Sequence, residues 1–172
     1  MSLKSALHEG WQRFLEALQP DDRRKLLELL REEYLEEAQD VTQFTQHARR
    51  MYYPQFRERL LRIAAEEKAH VEWLREKILT LGGEIPQLSF TLKAGKNSWE
   101  CLLMDLEEEK RCCRDLLERM YTAQHADPEI AEGLHRMREE EKRHREEIMD
   151  MLMRSDPYAL PPEQGCGPSK WA

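Results

Sequence analysis

Apolar side chains recur at intervals of three and four residues along four stretches of the chain, a pattern typical of helices that bury one face. The predicted helices cover about residues 22–52, 55–81, 98–125 and 127–154. Pro54 limits the first helix and Gly82 limits the second. Ser98 is the predicted N-cap of the third helix, and Pro128 lies in the first turn of the fourth. Four helices of this kind predict an all-α bundle.

Residues 83–98 form a linker between the second and third helices, because they include Pro86, Gly95 and Asn97 and show no helical period. A linker of this length can carry the chain from one end of a bundle to the other. The whole chain is predicted to comprise a short N-terminal packing helix (residues 1–21), a four-helix bundle (22–154) and a Pro/Gly-rich tail (155–172).

A carboxylate interrupts the apolar face of every predicted helix, and in two helices a histidine follows three residues later. These six residues are Glu37, Glu67, His70, Glu109, Glu141 and His144. A charge buried without a partner is costly, so something must compensate these groups. Because Glu-x-x-His is a spacing that holds metal ions in helical bundles, the six residues are candidate metal ligands.

Helical periodicity separates these residues from other acidic groups of the chain. Glu132 and His135 have the same spacing as the candidate pairs, but they lie off the apolar stripe of the last helix. We interpret them as solvated surface. The same interpretation applies to four further glutamates near the polar side of the first helix: Glu28, Glu32, Glu33 and Glu36.

The candidate ligands divide into two matching halves. Each half is a pair of helices, with one glutamate on the first helix and a glutamate and a histidine on the second. Four ionised glutamates and two neutral histidines carry four negative charges, which two divalent cations would neutralise. Oxygen-rich ligation with imidazole favours iron or manganese over a structural zinc ion. The alternative is a bundle whose buried polar layer has a purely structural role.

Composition narrows the classes of function. The chain has 172 residues and a net charge of −7, which argues against a nucleic-acid partner. We expect neither a membrane span nor a signal peptide, because no apolar run is long enough and the first residues are soon charged. The four cysteines show no CxxC spacing, so reduced thiols and a cytoplasmic location are expected.

The set Glu37 … Glu66-Glu67-Lys68-Ala69-His70 with Glu109 … Glu140-Glu141-Lys142-Arg143-His144 resembles the ferritin-like di-iron carboxylate proteins, including rubrerythrin and bacterioferritin. The resemblance covers about residues 22–154. It implies a ferritin-like four-helix bundle with one long crossover and two iron ions, with manganese or a mixed pair as alternatives. It also implies that Glu67 and Glu141 bridge both ions, that Glu37 and Glu109 are terminal ligands, and that each ion has one histidine.

Several positions depart from the patterns of these families. Cys112 stands where rubrerythrin has a further glutamate, and Asp40 at the mirror position is an additional candidate ligand. Phe44 and Leu116 replace the tyrosines of rubrerythrin, so a tyrosine-mediated redox step is not expected. Haem is not expected, because Lys68 stands where bacterioferritin has its haem-binding methionine. The tail has only Cys166, so a rubredoxin domain is not expected and an external electron-donor protein is required.

Three functions follow from the resemblance. The first is an oxidoreductase of the rubrerythrin, peroxidase or ferroxidase type, whose centre reacts with peroxide or dioxygen. The second is oxidation of ferrous iron for storage or detoxification. The third is a helical bundle with structural metal. A homodimer is a compatible assembly for the first function.

Overall fold

The computed structural model describes residues 20–159, which form four helices. They are α1 (Pro20–Ala48), α2 (Pro54–Thr80), α3 (Ser98–Gln124) and α4 (Pro128–Met153). The predicted all-α bundle is confirmed, with helix bounds that differ from the predicted ones by a few residues. The predicted N-terminal helix and most of the predicted tail lie outside the described residues.

The helices pack as two hairpins, α1 with α2 and α3 with α4, and the hairpins face each other through α1–α3 and α2–α4 contacts. Neighbouring helices are antiparallel. Arg23 near the start of α1 donates a hydrogen bond to the carbonyl of Leu81 just beyond α2 (2.8 Å). Across the hairpins, Arg59 of α2 bonds to Glu147 of α4 at 2.8 Å.

The connection between the hairpins runs along α1. Arg31 in the first half of α1 donates to the carbonyl of Glu84 at 3.0 Å. At the other end of α1, His47 contacts the carbonyl of Lys93 at 2.9 Å. The connection therefore crosses from one end of the bundle to the other, and this long crossover is confirmed.

The end of each helix is explained by a specific residue or hydrogen bond. Gly82 adopts a positive φ of 71° after α2, a conformation that favours glycine. The N-cap of α3 is Asn97 and not Ser98 as predicted, because the Asn97 side chain accepts a hydrogen bond from the backbone N–H of Glu100 at 2.9 Å. The first helix ends before Tyr52, whose N–H is bound to the Ser98 hydroxyl at 2.8 Å.

The core consists of two apolar clusters with a polar layer between them. One cluster contains Leu30 of α1, Ile78 of α2, Leu116 of α3 and Leu134 of α4. The other contains Phe44, Leu60, Leu102 and Ile148 from the same four helices. The intervening turn of each helix carries the acidic and histidine side chains. None of the helices within residues 20–159 is long and apolar enough to span a membrane.

Candidate metal centre

The six candidate ligands meet in the layer between the two apolar clusters. Each of their side chains is buried, with at most 5% of the residue exposed. They are Glu37 on α1, Glu67 and His70 on α2, Glu109 on α3, and Glu141 and His144 on α4. The structure therefore brings together residues that are more than 100 positions apart in the sequence, and their role as metal ligands remains a prediction.

These side chains form two overlapping groups of four. In each group, one ligand atom per residue lies within 4.8 Å of the ligand atoms of the other three. The first group comprises Glu37, Glu67, His70 and Glu141, and the second comprises Glu67, Glu109, Glu141 and His144. Because Glu67 and Glu141 belong to both groups, the arrangement suits two cations that share two carboxylates.

Both histidines direct Nδ1 into the layer. His70 Nδ1 lies 2.9 Å from Glu67 Oε2 and 3.2 Å from Glu37 Oε2. His144 Nδ1 lies 2.7 Å from Glu67 Oε1. The two ring centroids are 6.3 Å apart. Each imidazole therefore faces the carboxylates of its own group with the nitrogen that would bind a cation.

The outer nitrogen of each histidine contacts a glutamate on the facing helix. His70 Nε2 lies 2.7 Å from Glu140 Oε2, and His144 Nε2 lies 2.9 Å from Glu66 Oε2. Such contacts fix the orientation and the tautomer of a metal-binding histidine. Helical periodicity assigns these two glutamates no role. The signal was present, since both directly precede a shared glutamate in the repeated Glu-Glu-Lys-x-His pattern.

Unpaired buried atoms show that the donors fit a pair of cations. Glu67 Oε1, Glu109 Oε2, Glu141 Oε1 and His144 Nδ1 are buried and have no hydrogen-bond partner among the described residues. Glu67 Oε1 and His144 Nδ1 lie 2.7 Å apart without forming a hydrogen bond. A buried polar atom without a partner is unfavourable, and a cation coordinated by these atoms would remove that penalty.

Burial and the crowding of carboxylates shift the proton affinities in the layer. Burial, followed by repulsion from neighbouring carboxylates, raises the pKa of Glu37 and Glu109 well above the ordinary value. The same causes raise the pKa of Glu141 to about 7. For Glu67, burial is outweighed by the close contacts with the His144 and His70 imidazoles, which lower its pKa.

The pKa values of the two histidines are raised, whereas burial alone would lower them. Burial lowers the pKa of each imidazole, but the Glu67 carboxylate, 2.9 Å from His70 Nδ1 and 2.7 Å from His144 Nδ1, outweighs it and raises the pKa of both to about 9. Without a cation, protons on His70 and His144 thus balance part of the negative charge of the layer. A cation that binds these imidazoles must displace those protons.

Other predicted positions lie around this layer. Asp40 belongs to neither group of four, and its Oδ2 accepts a weak hydrogen bond from Cys112 Sγ at 3.6 Å. Glu132 and His135 are exposed, as predicted. The interpretation of Glu33 as solvated surface is wrong. Glu33 is only 1% exposed, because its carboxylate is buried against Arg119 of α3.

Solved structures with the same fold span most of this chain. A ferritin-like diiron-carboxylate protein from Bacillus anthracis is 23% identical, with a TM-score of 0.73 over 78% of this chain and 99% of that protein. Desulfovibrio desulfuricans bacterioferritin, described with a diiron site, is 23% identical, with a TM-score of 0.72 over 77% of this chain and 81% of that one.

A dodecameric thioferritin from Bacteroides fragilis is 17% identical, with a TM-score of 0.73 over 86% of this chain and 94% of that protein. No family model matches the chain, and no curated protein matches it. The likenesses in structure establish the fold: this chain is a ferritin-like four-helix bundle, with two groups of side chains that can hold metal ions.

Proposed function

We propose that this protein binds two divalent metal ions, preferably iron, through Glu37, Glu67, His70, Glu109, Glu141 and His144, and reacts with peroxide or dioxygen. The observation that carries this proposal is the pair of overlapping ligand groups that share Glu67 and Glu141. Manganese or a mixed iron–manganese pair would satisfy the same donors. The bundle itself is proposed to occupy residues 22–154.

The residues of the chain have distinct roles in this proposal. Glu67 and Glu141, which belong to both groups, would be shared by the two ions, Glu37 and Glu109 would each hold one ion, and each histidine would complete one subsite. Two bound ferrous ions would supply the two electrons that, with two protons, reduce one hydrogen peroxide to two water molecules. The apolar clusters on both sides of the layer limit the access of water and favour a small oxidant.

In this proposal the electrons are replaced by a donor outside residues 20–159. Residues 20–159 contain no cluster of potential metal ligands apart from the two overlapping groups. We therefore propose a separate electron-donor protein as partner. Cys101, Cys112 and Cys113 are free and buried, which is in keeping with a reducing compartment such as the cytoplasm.

Oxidation of ferrous iron for storage or detoxification is the second candidate function. It is supported by the likeness to a bacterioferritin and to a dodecameric thioferritin, whose names describe iron proteins and, for the second, a large assembly. The two functions differ in the assembly they require, because storage needs a closed shell. A homodimer suffices for peroxide reduction.

Stopped-flow absorbance of the anaerobic ferrous-loaded protein, mixed with hydrogen peroxide, tests the reaction. We expect oxidation of both irons with about one peroxide consumed per pair, faster than free ferrous iron in the same buffer. Light scattering of the same sample distinguishes the two functions by particle size. Oxidation no faster than that of free iron would contradict both functions and leave only structural metal.

A further inference from the structure

A stripe of buried polar side chains continues from the metal layer along α1, towards the end of that helix. It comprises Glu37, Asp40, Gln43 and His47, which recur every three or four residues and are at most 6% exposed. Residues at this spacing share one face of a helix. Asp105 of α3, which is fully buried, lies against this face. Polar groups therefore connect the layer with the end of α1 that contacts the crossover.

His47 and Asp105 form a neutral pair at the outer end of this stripe. His47 Nδ1 lies 2.7 Å from Asp105 Oδ1, and His47 Nε2 lies 2.9 Å from the carbonyl oxygen of Lys93. Because a carbonyl oxygen only accepts hydrogen bonds, Nε2 carries a hydrogen, and one further proton lies between Nδ1 and Oδ1. Whichever of these two atoms holds that proton, Asp105 Oδ2 has none.

Two buried oxygen atoms beside this pair have no hydrogen-bond partner among the described residues. They are Asp105 Oδ2 and Gln43 Oε1. The two side chains are in contact, since Gln43 Nε2 donates to Asp105 Oδ1 at 3.2 Å, and both residues are at most 1% exposed. Buried acceptors without a donor are unfavourable, so the arrangement favours a small molecule that donates a hydrogen bond to each.

The charge of this cluster limits the class of molecule that fits it. Since His47 and Asp105 together are neutral, a further cation would lack a compensating charge, and a neutral donor is favoured. Water and hydrogen peroxide each offer two O–H groups, whereas dioxygen offers none. Hydrogen peroxide carries its two O–H groups on adjacent oxygens, which suits two acceptors on different side chains.

We propose that Asp105 and Gln43 form a binding point for hydrogen peroxide on its path to the metal layer. Asp105 Oδ2 and Gln43 Oε1 accept its two O–H groups, and Asp40 continues the polar stripe from there to the layer. Gln43 is six residues from Glu37, which corresponds to about 9 Å along α1. This inference rests on the proposed reaction with an oxidant and deepens it, because the site favours peroxide over dioxygen.

A crystal of the metal-free full chain soaked in hydrogen peroxide tests the site without turnover. We expect electron density for two bonded oxygen atoms within hydrogen-bonding distance of Asp105 Oδ2 and Gln43 Oε1. Gln43→Met keeps the size of the side chain and removes its amide, so the soaked variant should show no ordered peroxide there. Density for water only in the soaked wild type would overturn the proposal.

The same variant tests the delivery of peroxide to the loaded centre. Stopped-flow oxidation of the ferrous-loaded protein by peroxide and by dioxygen gives a ratio of rate constants, which Gln43→Met should lower by about 3–10-fold, as expected for one lost hydrogen bond. Gln46→Met is the matched control on α1. Gln46 Oε1 is also buried without a partner among the described residues, but Gln46 makes no hydrogen bond to Asp105.

The outcomes separate this inference from the proposed function. A loaded wild type that reacts with neither oxidant would contradict the proposed function, while the soaked metal-free crystal still decides whether peroxide binds beside Asp105. An unchanged ratio in Gln43→Met, or equal losses in Gln43→Met and Gln46→Met, would overturn the role of Gln43 and leave the metal centre standing. Circular dichroism of each variant confirms that the bundle is intact.

Discussion

At the scale of single residues, Glu66 and Glu140 hold the outer nitrogens of the two histidines from the facing helix. We expect Glu66→Gln and Glu140→Gln to lower the affinity for metal by about 10–100-fold, because each histidine loses the carboxylate that fixes its tautomer. Both glutamates are partly exposed, so stability should change little. Glu132→Gln is the control, since this exposed glutamate lies outside both ligand groups. Equal affinities in calorimetric titrations of all three variants would contradict this role.

The raised pKa values of the two histidines also predict that protons are released when metal binds. In the metal-free protein their pKa values are raised to about 9, so both are protonated at pH 7. Binding of two cations at pH 7 should release at least about two protons, and the apparent affinity should rise with pH up to about 9. Calorimetry at pH 7 in two buffers with different ionisation enthalpies measures this number. A heat of binding that is the same in both buffers would mean that neither imidazole releases a proton when metal binds.

The candidate ligands could be predicted from the sequence, because each is recognised from the periodicity of its own helix. Residues that act through a partner on another helix could not. Each candidate ligand interrupts the apolar stripe of its own helix, so periodicity is enough to find it. Glu33 and Glu66 lack that signal because their partners, Arg119 and His144, lie on a different helix. Helical periodicity alone places Glu33 near the polar side of α1, although its carboxylate is buried.

At the scale of helices, His47 joins α1, α3 and the crossover. Its Nδ1 lies 2.7 Å from Asp105, and its Nε2 lies 2.9 Å from the Lys93 carbonyl. Burial lowers the pKa of His47, but the hydrogen bond to the Asp105 carboxylate outweighs it and raises the pKa to about 10. Both nitrogens therefore act as donors, and the protonated ring fixes the crossover against the bundle.

The raised pKa of His47 predicts a loss of stability at alkaline pH. Its contribution is complete below the ordinary histidine pKa of about 6.5 and declines as pH rises through about 10. Wild type should exceed His47→Gln in unfolding free energy by about 2–3 kcal/mol at pH 6, and the difference should shrink towards pH 10. Urea unfolding of both metal-free proteins across this range measures it. A difference that is constant with pH would show that His47 is neutral in the fold.

The helices and the long crossover could be predicted because they depend on local signals, such as the glycine after α2 and the apolar period. The route of the crossover could not. It is fixed by contacts such as Arg31 with Glu84 and His47 with Lys93, which join residues 46 or more positions apart. The end of α1 was misplaced for the same reason, since the N–H of Tyr52 is bound by Ser98.

At the scale of the whole molecule, the buried acidic layer couples metal binding to folding. Four carboxylates in one layer repel each other, and cations that bind only the folded state stabilise it. Chelation should therefore lower the melting temperature at neutral pH by about 5–10 °C. Calorimetry with and without a chelator measures the shift. An unchanged melting temperature would mean that the purified protein carries no metal in this layer.

Replacement of a shared ligand has two expected effects. Glu67→Leu should abolish tight binding at both subsites, because this carboxylate belongs to both groups. Metal-free stability at pH 7 should fall by up to about 3–5 kcal/mol, because Glu67 faces both protonated imidazoles and its loss removes their partner. Thermal unfolding of the metal-free variant tests this, with metal-free wild type as reference. A variant as stable as wild type would show that Glu67 does not pair with the imidazoles in the metal-free fold.

Six side chains of this bundle are proposed to hold two metal ions. The most direct measurement is the iron content of the chain after anaerobic addition of ferrous iron and removal of excess, determined by elemental analysis for wild type, Glu67→Leu and Glu132→Gln. We expect close to two irons per chain for wild type and for Glu132→Gln, and close to none for Glu67→Leu. Iron content near zero in wild type, or equal content in wild type and Glu67→Leu, would contradict it.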